Sequence, residues 1–208
     1  ANTITILAIP PIVDFSYDPS SGCQPLTVNF TNLSQYAEPN TYQWDFGDGN
    51  TSTASNPTHA YTNFGTYSVS LSASNTTGQV VTTAKTQIIQ VYPRPFANFI
   101  ARPNVLYIPG GVLTTLNMSR YASGYSWDFG DGSTSIEASP EHTYKTDGTF
   151  TLTLIASNEH GCVDTLMQKD AVIVKKANQV LIPNAFSPSP NGPGSGSGQN
   201  DIFLPLMN

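Results

Sequence analysis

A six-residue string, Trp-Asp-Phe-Gly-Asp-Gly, occurs twice in this chain, at 44–49 and at 127–132, with an offset of 83. The same offset carries Pro57 to Pro140, His59 to His142, Tyr61 to Tyr144, Leu71 to Leu154, Asn75 to Asn158 and Gly78 to Gly161. Without a gap, 18 of the 35 positions from 44 to 78 recur identically in the second copy. Self-similarity at a fixed period marks a repeated structural unit. Whatever this chain of 208 residues folds into must therefore be built twice.

The pattern inside one copy says what is built. From Thr66 to Asn75, Tyr67, Val69, Leu71 and Ala73 share one parity, while Ser68, Ser70, Ser72 and Ser74 take the other. The second copy repeats this with Phe150, Leu152, Leu154 and Ala156, and Leu26-Val28-Phe30 and Tyr42-Trp44-Phe46 alternate likewise. Side chains on a strand point to opposite faces in turn, so each run is a strand with one buried and one wet face. Turn signals such as Asp48-Gly49, Asn63-Phe64-Gly65 and Asp147-Gly148 separate the runs, and no stretch has a helical period. Several short strands with regular turns predict an all-β chain of two consecutive β-sandwiches. The expected division is 1–10 as the end of a preceding module or linker, 11–93 and 94–177 as the sandwiches, and 178–208 as a linker and the start of a further domain. Thr3 to Pro11 resembles the end of the first copy and its linker, which implies another module before Ala1. Met118, nine positions before Trp127, is expected to replace Phe30, fourteen before Trp44, across a shorter loop. Tyr92-Pro93-Arg94-Pro95 joins the copies, and its prolines predict a stiff connection with little swivel.

Composition excludes several functions. Eight Lys and Arg against 14 Asp and Glu give a net charge of −6, and the scattered cations make no phosphate-binding patch, so no nucleic-acid partner is expected. No apolar run approaches the roughly 18 residues of a membrane span, and with no charged segment leading into an apolar one at Ala1, no signal peptide is expected within these residues.

The residues with chemical potential are those of the repeat. Asp45, Asp48, Asp128 and Asp131 would suit catalytic acids or calcium ligands, and Asp45-Phe46-Gly47 spells a kinase metal-binding triplet. No phosphate loop, strand lysine or catalytic-loop triplet accompanies it. A structural reading is favoured, in which Trp44, Phe46, Trp127 and Phe129 enter the cores and Gly47-Asp48-Gly49 and Gly130-Asp131-Gly132 form tight turns. Weak calcium binding at the four aspartates is the alternative, and no other cofactor is expected. His59 and His142, followed by Tyr61 and Tyr144, lie in different copies and are expected to bond neighbouring backbone rather than share a metal. No Gly-x-Ser-x-Gly elbow exists, and neither repeated histidine has a triad context, so no enzyme is expected.

These residues resemble the polycystic-kidney-disease (PKD) repeat. Its hallmark hexapeptide is followed by Pro-x-His-x-Tyr (Pro57 to Tyr61, Pro140 to Tyr144), by Gly-x-Tyr-x-Val-x-Leu (Gly65 to Leu71) and by an Asn-x-x-Gly turn (Asn75 to Gly78). The second copy carries Phe150 and Leu152 in place of Tyr67 and Val69, and the likeness covers roughly residues 12–175. The resemblance implies an immunoglobulin-like β-sandwich and extracellular work: adhesion, spacing, and contact with protein or carbohydrate. In similar modules cysteine can stand at the positions of both Cys23 and Cys162. The repeat alignment sets Cys23 against Gly111 and Cys162 against Gln79, so each copy keeps one, and two free thiols are expected. A bridge between the copies needs Cα atoms within about 7 Å. Asp164-Thr165-Leu166 resembles a bacterial O-glycosylation acceptor, and the start of a strand explains it equally.

The tail carries a second resemblance. Val180 to Pro188, with Ile182, Pro183, Asn184, Ala185 and Phe186, looks like the opening of the gliding-motility-associated C-terminal domain, the type B sorting signal of type IX secretion. Asn200, Asp201 and Phe203 match its Asn-Asp-x-Phe end, while a Gly/Ser-rich stretch replaces its acidic turn. This implies a protein on the surface of a Gram-negative bacterium, associated with the outer membrane and contacting an outer-membrane secretion component through this segment. The expected function is a non-catalytic stalk or adhesion module linked to adhesion or gliding. The alternatives are carbohydrate-binding accessory modules of a secreted hydrolase, and a cargo or component contacting the secretion apparatus. Exposed aromatics would favour the carbohydrate reading, but the outward strand positions are mostly Ser, Thr and Asn.

Overall fold

A computed structural model describes residues 9–177; the tail residues singled out above, Ile182 to Phe186 and Asn200 to Phe203, lie outside the described residues. The first sandwich is built from β1 (Phe15–Asp18), β2 (Ser21–Cys23), β3 (Leu26–Asn32), β4 (Gln43–Asp45), β5 (Thr51–Ser52), β6 (Thr58–Tyr61), β7 (Gly65–Ser74) and β8 (Val80–Tyr92). Three antiparallel strands in the order β1-β3-β6 face a sheet ordered β2-β8-β7-β4-β5, in which β2 runs parallel to β8. The second sandwich repeats this with β9 (Phe99–Arg102), β10 (Val105–Ile108), β11 (Leu113–Asn117), β12 (Gly124–Asp128), β13 (Thr134–Ser135), β14 (Glu141–His142), β15 (Gly148–Ser157) and β16 (Val163–Lys176). Its sheets are ordered β9-β11-β14 and β10-β16-β15-β12-β13. The expected all-β pair of immunoglobulin-like sandwiches is what the chain forms.

Alternation becomes two cores. On β3, Leu26, Val28 and Phe30 are buried and Thr27, Asn29 and Thr31 exposed; on β7, Val69, Leu71 and Ala73 are buried. Trp44 and Trp127 are the largest fully buried side chains. Phe15 meets Trp44 edge-on at 5.2 Å and Phe99 meets Trp127 at 5.0 Å, so one aromatic pair is repeated across the sheets. Removing such rings from water is the main stabilising contribution in each sandwich.

The counterpart of Phe30 differs from the expectation. Phe30 and Thr115 donate their backbone N–H groups to the equivalent carbonyls of Pro57 and Pro140, at 2.9 and 3.2 Å. Thr115 therefore takes the place of Phe30, while Met118 is 46% exposed. The loop to the tryptophan is two residues shorter in the second sandwich, not five. The apolar alternation misled because a polar residue occupies the interior site. Its hydroxyl stays satisfied by donating to the Pro140 carbonyl at 2.7 Å, which removes most of the penalty of burying it.

Candidate functional site

The repeated hexapeptide forms a turn held by its own aspartates. Asp45 Oδ1 accepts the Gly47 N–H at 2.9 Å, and Asp128 Oδ1 accepts that of Gly130 at 2.8 Å. Asp48 Oδ1 accepts the Asn50 N–H, and Asp131 Oδ1 that of Ser133. The second oxygen of each central aspartate turns to a histidine: Asp48 to His59 Nε2 at 2.7 Å, and Asp131 to His142 Nε2 at 2.9 Å. Each imidazole lies flat on the motif phenylalanine, Phe46 or Phe129, with ring centres 4.2 Å apart. Tyr61 and Tyr144 close the assembly by donating their hydroxyls to the carbonyls of Phe46 and Phe129, at 3.0 and 3.1 Å. The tryptophan indoles donate to Ala54 and Glu137 carbonyls. The two histidines thus bond carboxylates, not the backbone groups expected for them. That partner lay eleven residues away in the turn after β4, with no local signal in the sequence.

Gly47 and Gly130 are required by close approach. They have φ of +80° and +79°, and a Cβ on Gly47 would lie 2.2 Å from the Ser68 carbonyl oxygen, one on Gly130 2.6 Å from that of Thr151. Ser68 and Thr151 sit at the register shifts where β7 and β15 bulge against β8 and β16, so the turn packs onto a bulge. Gly49 and Gly132 also have positive φ, but nothing stands where their Cβ would go.

The electrostatics follow from these contacts. Burial pushes the Asp48 carboxyl up, but hydrogen bonds from His59 and Asn50 outweigh it and hold its pKa below the usual value. Asp131 behaves alike, with burial opposed by Ser133 and His142. Burial, reinforced by the nearby Asp48 or Asp131 charge, raises the Tyr61 and Tyr144 hydroxyls far above their ordinary range. An acid whose pKa is depressed on folding stabilises the fold above its unfolded value, near 3.8, and that contribution is lost as pH falls through the folded value. Thermal melts from pH 7 to pH 2 are therefore expected to show stability falling below about pH 4, with a flatter acid limb in Asp48→Asn/Asp131→Asn. An equally steep limb in that variant would remove these carboxylates from the account. Among the described residues, no three His, Cys, Asp or Glu side chains gather in metal-holding geometry.

The second concentration of polar and aromatic groups lies where the sandwiches join. Asn158 Nδ2 donates to the Pro93 carbonyl at 2.9 Å, as Asn75 Nδ2 does to that of Ile9. Asp164 accepts the Ala97 N–H at 2.9 Å and pairs with Arg94 at 3.2 Å, so this aspartate serves the junction. His160 stacks on Tyr92 at 3.7 Å, and Phe64 meets Tyr121 at 5.6 Å.

Cys23 and Cys162 are bonded to each other, with Cα atoms 5.7 Å apart, which overturns the expectation of two free thiols. Register explains the error. Cys23 pairs with Tyr92 as Tyr107 pairs with Lys175, so the counterpart of Cys23 is Tyr107, not Gly111. Cys23 thus ends β2 beside Tyr92, the last residue of β8, and Cys162 closes the turn whose Asn158 grips Pro93. A short join brings these positions together although 139 residues separate them. Thiol titration of the unreduced, unfolded chain is expected to find none free. Reduction should lower stability by about 2–4 kcal/mol; two titratable thiols would show that the bridge does not form.

Comparison with known proteins follows the same lines. The sequence model of a family described as PKD domain matches residues 8–91 and 114–174. Over 80 residues, 36% of this chain and 9% of the relative, the chain is 39% identical to the pre-pro-metalloprotease PrtV of Vibrio cholerae. Over 46 residues, 22% of this chain and 6% of the relative, it is 52% identical to a microbial collagenase of Vibrio alginolyticus. The chain thus spans less than a tenth of either protein. Among solved structures, the PKD1 domain of the Vibrio cholerae metalloprotease PrtV is 30% identical, covering 39% of this chain and 98% of that domain with a TM-score of 0.35.

Proposed function

Because this chain belongs to the PKD domain family and carries two such domains in tandem, we propose that it is a non-catalytic, adhesive stalk of an exported cell-surface protein. Residues 11–93 and 94–177 are its two modules, and the repeated motif from Trp44 and from Trp127 serves architecture. The observation that carries this reading is the junction. A disulfide and an aromatic stack tie one sandwich to the next, and an asparagine clamp and an ion pair fix the linker to the second, so load along the chain passes through a braced joint. A structural disulfide also suits an oxidising, extracellular setting. Among the described residues, no helix is long and apolar enough to cross a membrane.

The tail supports a finer version of the proposal. The likeness of Val180 to Pro188 to a type B sorting signal favours export by type IX secretion, outer-membrane association in a Gram-negative bacterium, and a role in adhesion or gliding. Deleting residues 11–177 from the full-length protein is expected to abolish surface adhesion while leaving export intact; unchanged adhesion would refute the stalk. Co-purification of an outer-membrane component that depends on residues 178–208 tests the secretion partner. A second reading, modules that contact carbohydrate for a secreted hydrolase, is favoured by the exposed rings of Phe96 and Tyr121 at the junction.

A further inference from the structure

The two sandwiches do not meet flush. Beside the linker they leave a groove of about 460 Å³ lined by Gln24, Arg94, Pro95, Phe96, Tyr121 and Asp164, within the roughly 300–1,000 Å³ of ligand clefts. Both sandwiches and the linker contribute to it, so a single module does not contain it.

Its aromatic rings are exposed for a reason other than a missing neighbour. Phe96 and Tyr121 are each 57% exposed. Their counterparts in the first sandwich are Ile12 and Tyr36, placed by the equivalent bridges Ile12–Gln35 and Phe96–Arg120 and by the shared positive φ of Tyr36 and Tyr121. Those are 56% and 58% exposed. Docking the first sandwich onto the second has therefore not covered the rings; it has added walls beside them.

The polar groups between the rings are held in place. Arg94 donates Nη2 to Asp164 Oδ1 and Nε to the Val163 carbonyl, while Asp164 Oδ2 accepts the Ala97 N–H. A guanidinium has five N–H donors, so three remain. Gln24 is fixed by its backbone N–H to the Tyr92 carbonyl, and its side-chain Oε1 is buried with no partner.

We propose that this groove binds a neutral glycan chain, with sugar faces on Tyr121 and Phe96 and hydroxyls bonded by Arg94 and Asp164. The proposal rests on the reading that these modules contact carbohydrate, and it assigns that contact to one place. A sugar ring offers an apolar face of C–H groups and a rim of hydroxyls, each both donor and acceptor. Aromatic faces beside a mutually neutralised Arg–Asp pair, whose guanidinium keeps donors to spare, match that chemistry. A charged ligand would find no net charge in the Arg94–Asp164 pair. A protein partner of standard size needs about 800 Å² on each side, far more than a cleft of six residues presents. The Cys23–Cys162 bond and the Asn158 clamp hold the walls before the ligand arrives, which lowers the ordering cost of binding.

The test is calorimetric titration of the chain with cellohexaose, chitohexaose and xylohexaose, with amide chemical-shift mapping. At least one sugar is expected to bind, with shifts centred on Gln24, Arg94–Phe96, Tyr121 and Asp164. Tyr121→Ala and Phe96→Ala should each weaken it about tenfold or more, while their melts stay near the parent's because both rings are exposed. The Cys23→Ser/Cys162→Ser pair should also bind more weakly. Sugar binding that both alanine variants retain would overturn the groove and leave the carbohydrate reading standing; no binding to any of the three would overturn both. Binding of a triple-helical peptide, lost in the same variants while no sugar binds, would give the groove to protein and overturn the glycan assignment.

Discussion

Gly47→Ala is expected to remove about 2–5 kcal/mol of the first sandwich's stability, whereas Gly49→Ala, two residues away, removes only about 1–2 kcal/mol. Both glycines have positive φ, +80° and +91°, so each alanine carries a backbone penalty of about 1–2 kcal/mol. Only at Gly47 does the new Cβ also meet something. It would stand 2.2 Å from the Ser68 carbonyl oxygen, inside contact distance and against main chain rather than the end of a flexible side chain. Overpacking against rigid surroundings adds about 1–3 kcal/mol or more, and a domain of this size has perhaps 5–10 kcal/mol in all. Gly130→Ala, with 2.6 Å to the Thr151 oxygen, should fall between the two. Denaturant unfolding of the three variants checks the order. Equal losses at Gly47 and Gly49 would mean that the turn does not press on the bulge.

Trp44→Ala is the second large effect, at about 3–5 kcal/mol. The indole is 1% exposed and surrounded by Phe15, Phe30 and Phe46 at 5.2–6.4 Å, so its removal empties a site that no neighbour can fill without leaving its own place. Trp44→Phe keeps most of the packing and loses the bond to the Ala54 carbonyl, worth about 1 kcal/mol. Trp127→Ala should act likewise in the second sandwich, where Phe99 and Phe129 line the site and Thr115 stands at the position of Phe30. A melting temperature barely moved by either alanine would show that the tryptophans do not organise the cores.

Part of the turn's chemistry was legible beforehand. Gly-Asp-Gly between an inward phenylalanine and a new strand can only be a tight turn, and a duplicated acid in two separate units argues against one active centre. What the aspartates hold was not legible. The Asp48–His59 contact joins β6 to the turn after β4, and nothing in the local pattern marks His59 as its partner. Thr115 shows the same gap: an alternation rule cannot see that a hydroxyl will find the Pro140 carbonyl inside the core.

The sequence by itself determined that there are two equivalent units, that each is all-β, and which strand faces turn inward. These depend on period, parity and turn residues, which act between near neighbours along the chain. The tertiary structure alone decided the Cys23–Cys162 bond, the clamp on Pro93 and the groove beside Tyr121. Each depends on how the end of one folded body abuts the start of the next. That geometry is set by strand register and linker length acting together, and no run of residues records it.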